Sequence, residues 1–232
     1  MELRTTKASP IIAWEPLPSS CTPANKEAHL KAARVVDIYS PNHVEFLSIS
    51  NQTNELPTRE PAQFNLALLE RHSMSLLDSG IGPTGTGTIV IRCAEHGSFL
   101  VSRTYPGRWF PAFYQADKNP DRVVDATGAG NAFLGAFALR FGETGDLTEA
   151  AIFGSVAASF VIEQIGVPEF TRRNGYSPLG GGEEDMGMWN GVRVLDRVEE
   201  YRAVLWRQAG REMLEQGAED NGTSCFTFSL VW

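Results

Sequence analysis

The stretch VVDATGAGNAF, residues 123–133, decides how this chain is read. Its centre is Gly128-Ala129-Gly130, directly ahead of NAFLGAFALRFG, where apolar residues at 133, 134, 137, 138 and 141 recur at helical spacing. Gly142 is the expected residue just past that helix. A glycine-rich turn at the mouth of a helix aims several backbone N–H groups at one point, and the helix dipole adds partial positive charge there. A phosphate, or the charge that develops on a transferred phosphoryl group, fits such a place. For the three loop residues alone, a tight strand-to-helix turn is the plain alternative. No G-K-[ST] follows, which excludes a Walker A loop. Phe133 takes the third glycine place of G-x-G-x-x-G, which excludes that dinucleotide fingerprint.

Working outward, PIIAWEP (residues 10–16) predicts a buried strand. CTPANKEAHLKAA predicts a helix with Thr22 as N-cap and Pro23 at its first position, and RVVDIYSPN the next strand. That is the length and order of a βαβ unit. Residues 51–60 are polar and turn-rich, and PAQFNLALLERHSMSLLDSG reads as one helix breaking near Gly80. After a flexible IGPTGTG, the β-branched TIVIRC (88–93) predicts an interior strand, AEHG a turn and SFLVSR a hairpin partner. RVVD predicts a short strand feeding the glycine loop. Downstream, Asp146 and Glu149 form a capping box for LTEAAIFGSVAASFVIEQIG, whose small residues Gly154, Ala157 and Ala158 permit close packing. VLDRVEEYRAVLWRQAGREMLEQ predicts a last amphipathic helix. Alternating strands and helices imply an α/β layer fold with a mostly parallel sheet.

Bulk composition narrows the function. The chain has 232 residues, 42% hydrophobic and 21% charged, with net charge −8 and no basic run, so nucleic acid and anionic membranes are not expected partners. No run of about 18 apolar residues predicts a membrane span, and MELRTTKASP lacks the apolar core of a secretory signal. Cys21, Cys93 and Cys225 are odd in number and far apart, which suits reduced thiols of a cytoplasmic protein. The NGT at Asn221 is read as a chance match to a glycosylation acceptor.

The full string VVDATGAGNAFLGAF resembles the C-terminal signature of the ribokinase/PfkB family of carbohydrate and nucleoside kinases, D-T-x-G-A-G-D. Three segments agree in order. SPNHVEF is similar to the family's N-x-x-E motif, with Asn42 and Glu45 in place. IVIRCAEHGSFL is similar to its T-L-G-x-x-G strand-turn segment, with Gly97 kept and Ala94 in the first glycine place. AASFVIEQIGVPE resembles the helix over the adenine side. The resemblance covers about residues 10–170. WNGVRVLDRVEEY and WEPLPSSCTP add a likeness to a fungal PfkB-like subgroup linked to maintenance of a killer-toxin double-stranded RNA virus. The resemblance implies ATP and Mg²⁺, a sugar or nucleoside as acceptor, and a ribokinase-like layered fold. Gly128, Ala129 and Gly130 would form the anion hole, with Asn131 at the family's catalytic Asp position. Asn42 and Glu45 would help organise Mg²⁺ and phosphate, largely through water, Asp125 and Thr127 would border a monovalent cation, and Arg92, Ala94, Gly97, Thr127, Gly130 and Ser155 the nucleotide. On the residues alone, Asn42 reads as a helix cap, Glu45 as a solvated first-turn residue, Asp125 as a turn brace and Arg92 as a strand-edge charge.

Two departures qualify the expectation. Asn131 can orient a hydroxyl but cannot accept its proton. Only about nine residues precede the first predicted strand, so the family's N-terminal strands and lid are expected to be missing; either a homo-oligomeric or other protein partner covers the open edge, or, the reading the unplaced tail favours, the sequence is a truncated one. The expected organisation is a disordered start at 1–9, the C-terminal part of a kinase domain at 10–210, a mobile loop at 172–187 and a tail at 211–232. An ATP-dependent kinase, a nucleotide-binding pseudokinase and an inactive fragment are the three competing functions.

Overall fold

The structure, a computed structural model, describes residues 10–49, 65–115, 118–171 and 187–220. Its centre is β3 (Thr88–Arg92), whose TIVIR sequence is buried at every position but the last. β2 (Ile38–Tyr39) pairs parallel to it, and β1 (Ala13–Trp14) parallel to β2. β4 (Ser98–Val101) and β5 (Arg108–Phe110) extend the other side in antiparallel register, giving the order β1-β2-β3-β4-β5. The sheet is therefore mixed: parallel where helices connect the strands, antiparallel at the hairpin that AEHG predicts.

Alternation along the strands divides the core into two layers. Tyr39, Ile89, Ile91, Phe99 and Val101 face α1 (Lys26–Ala33), α2 (His43–Ile49) and α3 (Leu66–Asp78). Ile38, Val90, Leu100 and Phe110 face α4 (Ala129–Thr144), α5 (Leu147–Val161) and α6 (Val194–Asp220). α4 lies close on α5 because Gly154 is small: a Cβ there would stand 3.0 Å from Phe133. A second, antiparallel sheet joins β6 (Phe170–Thr171), β7 (Met188–Trp189) and β8 (Val192–Arg193). Its turn is Asn190-Gly191, both at positive φ, the backbone that an Asn-Gly pair accepts between two strands.

Local expectations fail in five places. PIIAWEP is not a buried strand: only Ala13–Trp14 pair, half-buried, and Ile11 and Ile12 are exposed because β1 is the edge of the sheet. RVVD is not a strand; Val124 donates its N–H to Ile162 O at 2.8 Å, and this tie to the end of α5 replaces a ladder. α4 continues through Gly142 and ends at Gly145, whose φ of +68° is the left-handed value a terminating glycine takes. Asp146 caps α5 by accepting from Thr148 and Glu149 N–H, but the Glu149 carboxylate turns away to Arg202, at 2.7 Å, so the box is half closed. Thr22 makes no side-chain cap and precedes a 3-10 turn, Pro23–Asn25, ahead of α1. The expectations for 1–9, 172–186 and 221–232 lie outside the described residues.

Candidate functional site

The glycine loop becomes the start of α4. Gly128 is its N-cap, in the left-handed conformation at φ +83°, and no side chain caps the helix. Ala129 N–H is taken by Ala126 O and Ala132 N–H by Gly128 O. The N–H groups of Gly130 and Asn131 belong to the first turn, where the helix itself offers no acceptor. They point to where an anion would sit.

A cleft of about 400 Å³ opens beside this turn. Ala129 and Gly130 form one side, Arg92, Ala94 and Gly97 another, and Ser155 and Ser159 of α5 a third. Six of the residues expected at the site thus meet around one space. Gly128, Thr127, Asp125 and Asn131 are not among the cleft's lining residues, and Asn131 is exposed one position beyond Gly130. Ala94 sits at φ +50°, a left-handed conformation costly for a residue with a Cβ. Gly97, at φ +95°, has no room for one: a Cβ would meet Phe110 O at 2.0 Å.

Arg92 ends β3 and crosses toward the helix start. Its Nη2 binds Glu15 at 2.7 Å and Ser40 O at 3.0 Å. Its Nη1 lies so near Gly130 that a Cβ there would be 2.5 Å away. Its Nε is buried and makes no hydrogen bond.

Behind the cleft is a polar network that sequence reading missed. Arg197 of α6, 4% exposed, binds Glu163 through both terminal nitrogens at 3.0 and 3.2 Å and lies over the Phe160 ring at 3.9 Å. Tyr114, which lines the cleft, donates to Glu163 at 2.5 Å, and Asn190 donates to the other oxygen at 2.9 Å. Burial alone would raise the Glu163 carboxyl; hydrogen bonds from Tyr114, Asn190 and Arg197, with the guanidinium charge, hold it below its ordinary value. Tyr114 is pushed up to about 12 by burial and by its bond to that carboxylate. These residues lie up to 83 positions apart, so spacing carries no signal for the cluster. Only the Asn190-Gly191 turn was readable.

Residues 12–172 match the family model described as pfkB family carbohydrate kinase. The chain belongs to the PfkB family. Two fungal relatives agree: "Uncharacterized protein C16C9.01c" of Schizosaccharomyces pombe, 32% identical over 86% of this chain and 53% of the relative, and "Protein MAK32" of Saccharomyces cerevisiae, 32% identical over 87% and 51%. The chain spans about half the length of the curated relatives it matches. The ribokinase of Thermotoga maritima shares the fold, with a TM-score of 0.51 over 85% of this chain and 50% of that one, at 21% identity.

The PfkB pattern implies Mg²⁺. Asn42 and Glu45 close a reciprocal cap on α2: Glu45 Oε2 accepts Asn42 N–H at 2.8 Å, and Asn42 Oδ1 accepts Glu45 N–H at 2.9 Å. Glu45 is buried and is not the solvated first-turn residue expected, since the cap folds its carboxylate back onto the start of α2. Asp125 accepts Thr127 N–H at 2.9 Å, bracing the turn before Gly128. Among the described residues no three His, Cys, Asp or Glu side chains gather as a metal site. Each carboxylate of the PfkB motifs spends one oxygen on its own backbone, and no cage of direct protein ligands for a divalent ion forms among the described residues. Among the described residues, no helix is long and apolar enough to cross a membrane.

Proposed function

We propose that this chain is an ATP-binding PfkB domain that directs the γ-phosphoryl group to a hydroxyl of a sugar or nucleoside. The carrying observation is the cleft itself, where the first turn of α4 meets Arg92, Ala94, Gly97 and Ser155 in one space. The nucleoside would lie along the apolar wall of Ala112, Phe113, Val123, Ala158 and Ile162, with the phosphates at Gly130. Phosphoryl transfer needs mainly positioning and charge stabilisation, which backbone N–H groups supply without an ionisable side chain. Asn131 orients the acceptor hydroxyl and leaves its proton to solvent. Turnover is then slower than with a carboxylate by roughly 10²–10⁴.

A second reading follows from Asn131: a pseudokinase that binds nucleotide and acts through a protein partner. The two are separated by a phosphotransfer screen over sugars and nucleosides with the wild type, Asn131→Ala and Asn131→Asp. Wild-type turnover abolished by Asn131→Ala supports the kinase. Turnover absent from the wild type and present in Asn131→Asp supports the pseudokinase. A purified chain that ATP neither binds nor stabilises refutes both.

A further inference from the structure

We propose that Arg92 supplies the charge that neutralises the nucleotide's phosphates, so that this cleft binds ATP without a divalent cation. The inference rests on the ATP-binding reading above and deepens it. Arg92 stands between the two motifs a metal would bridge. Its backbone pairs with Asn42 in an isolated parallel bridge, and its N–H binds Pro41 O at 3.1 Å, so it adjoins the Asn42–Glu45 cap. Its Nη1 lies against Gly130 on the other side. The guanidinium thus takes the ground between cap and anion hole.

Four observations set the charge balance. The side chain is 11% exposed, so its charge is poorly screened by water. Glu15 takes Nη2 from the β1 side, and Nη1 is the nitrogen turned toward Gly130. Nε is buried and has no hydrogen-bond partner. Residue 131 is a neutral amide, so it adds no negative charge that a metal would have to offset. A guanidinium fork beside first-turn N–H groups is a phosphate-binding arrangement in its own right. A divalent ion placed there would be repelled by Arg92, and Glu45 and Asp125 each already give one carboxylate oxygen to a backbone N–H.

The experiment is calorimetric titration of the full chain with ATP, once in excess EDTA and once in excess Mg²⁺. Affinity in EDTA is expected to be within threefold of that in Mg²⁺, or tighter. Arg92→Thr should lose at least tenfold in EDTA and less in Mg²⁺, while Arg92→Lys, which keeps the charge, should lose less than Arg92→Thr. Glu15→Gln, which frees the guanidinium of its carboxylate, should bind ATP more tightly in EDTA; it also guards against an Arg92→Thr chain that fails to fold. Wild-type binding that drops tenfold or more in EDTA overturns the proposal and leaves the ATP-binding reading standing. Unchanged binding by a folded Arg92→Thr, or weaker binding by Glu15→Gln, also overturns it. An absence of binding in both buffers defeats the ATP-binding reading itself.

Discussion

Arg197→Met is the sharpest test of how the cleft wall is held. Arg197 and Glu163 are 4% and 12% exposed, and both guanidinium nitrogens are used. Methionine keeps the apolar stem that lies over Phe160 but removes the fork. Removing one partner of a buried pair costs about 3–5 kcal/mol, because the other charge is left uncompensated. Here Glu163 retains Tyr114 and Asn190 as donors, which places the cost near the lower end, about 3 kcal/mol. For a chain of this size that corresponds to a fall in Tm of about 6–12 °C. Thermal and urea melts measure it. The double variant Arg197→Met/Glu163→Met should recover much of the loss, since an apolar pair leaves no orphaned charge. A single-variant loss under about 1 kcal/mol, or a double variant no more stable than the single, would refute the view that this pair is held as a charged, desolvated unit.

Two other outcomes are expected. Ala94→Gly relieves the left-handed φ of +50° and should stabilise by about 1 kcal/mol, read as a rise in urea midpoint; a fall in that midpoint counts against strain at the turn. Glu163 has a lowered pKa in the fold, so its contribution is fully present above the ordinary carboxyl range and is lost as pH falls through the folded value. Glu163→Gln should therefore flatten the acid limb of a stability–pH curve below about pH 5, and an unchanged limb sinks that assignment.

The parts legible in the sequence were those with short-range causes. TIVIRC reads as an interior strand because four β-branched residues follow one another, and it is β3. The α5 pattern carries its own cap, Asp146, whereas the cap of α3, Asn65, was read as part of the helix. Gly128-Ala129-Gly130 reads as a helix mouth because few other residues tolerate φ +83° there. RVVD misled because two valines imitate a strand, while the Val124–Ile162 hydrogen bond that settles its path joins residues 38 positions apart. Gly142 looked like a stop, but α4 packs there against Ile11, 3.3 Å from a Cβ at that glycine, and continues to Gly145. The Tyr114–Glu163–Arg197 network left no trace in the sequence because its members come from three separate segments and converge only in the fold.

Gly130 and Arg92 constrain each other in a way that neither motif shows alone. A glycine in a phosphate loop is usually read as room for the ligand. Here a Cβ at 130 would first meet the guanidinium, at 2.5 Å, so the glycine also makes room for the cation. That coupling bears on what Asn131 means. A carboxylate placed at 131 would stand one position along the chain from Gly130, and a cation near it would favour its charged, less basic form. Asn131→Asp alone should therefore gain turnover only toward the lower end of what a general base supplies, roughly 10². Paired with Arg92→Thr, the same carboxylate loses its neighbouring cation and becomes the stronger base, while the phosphates lose theirs and come to depend on a metal. The two substitutions are thus expected to be non-additive, as contacting charges are.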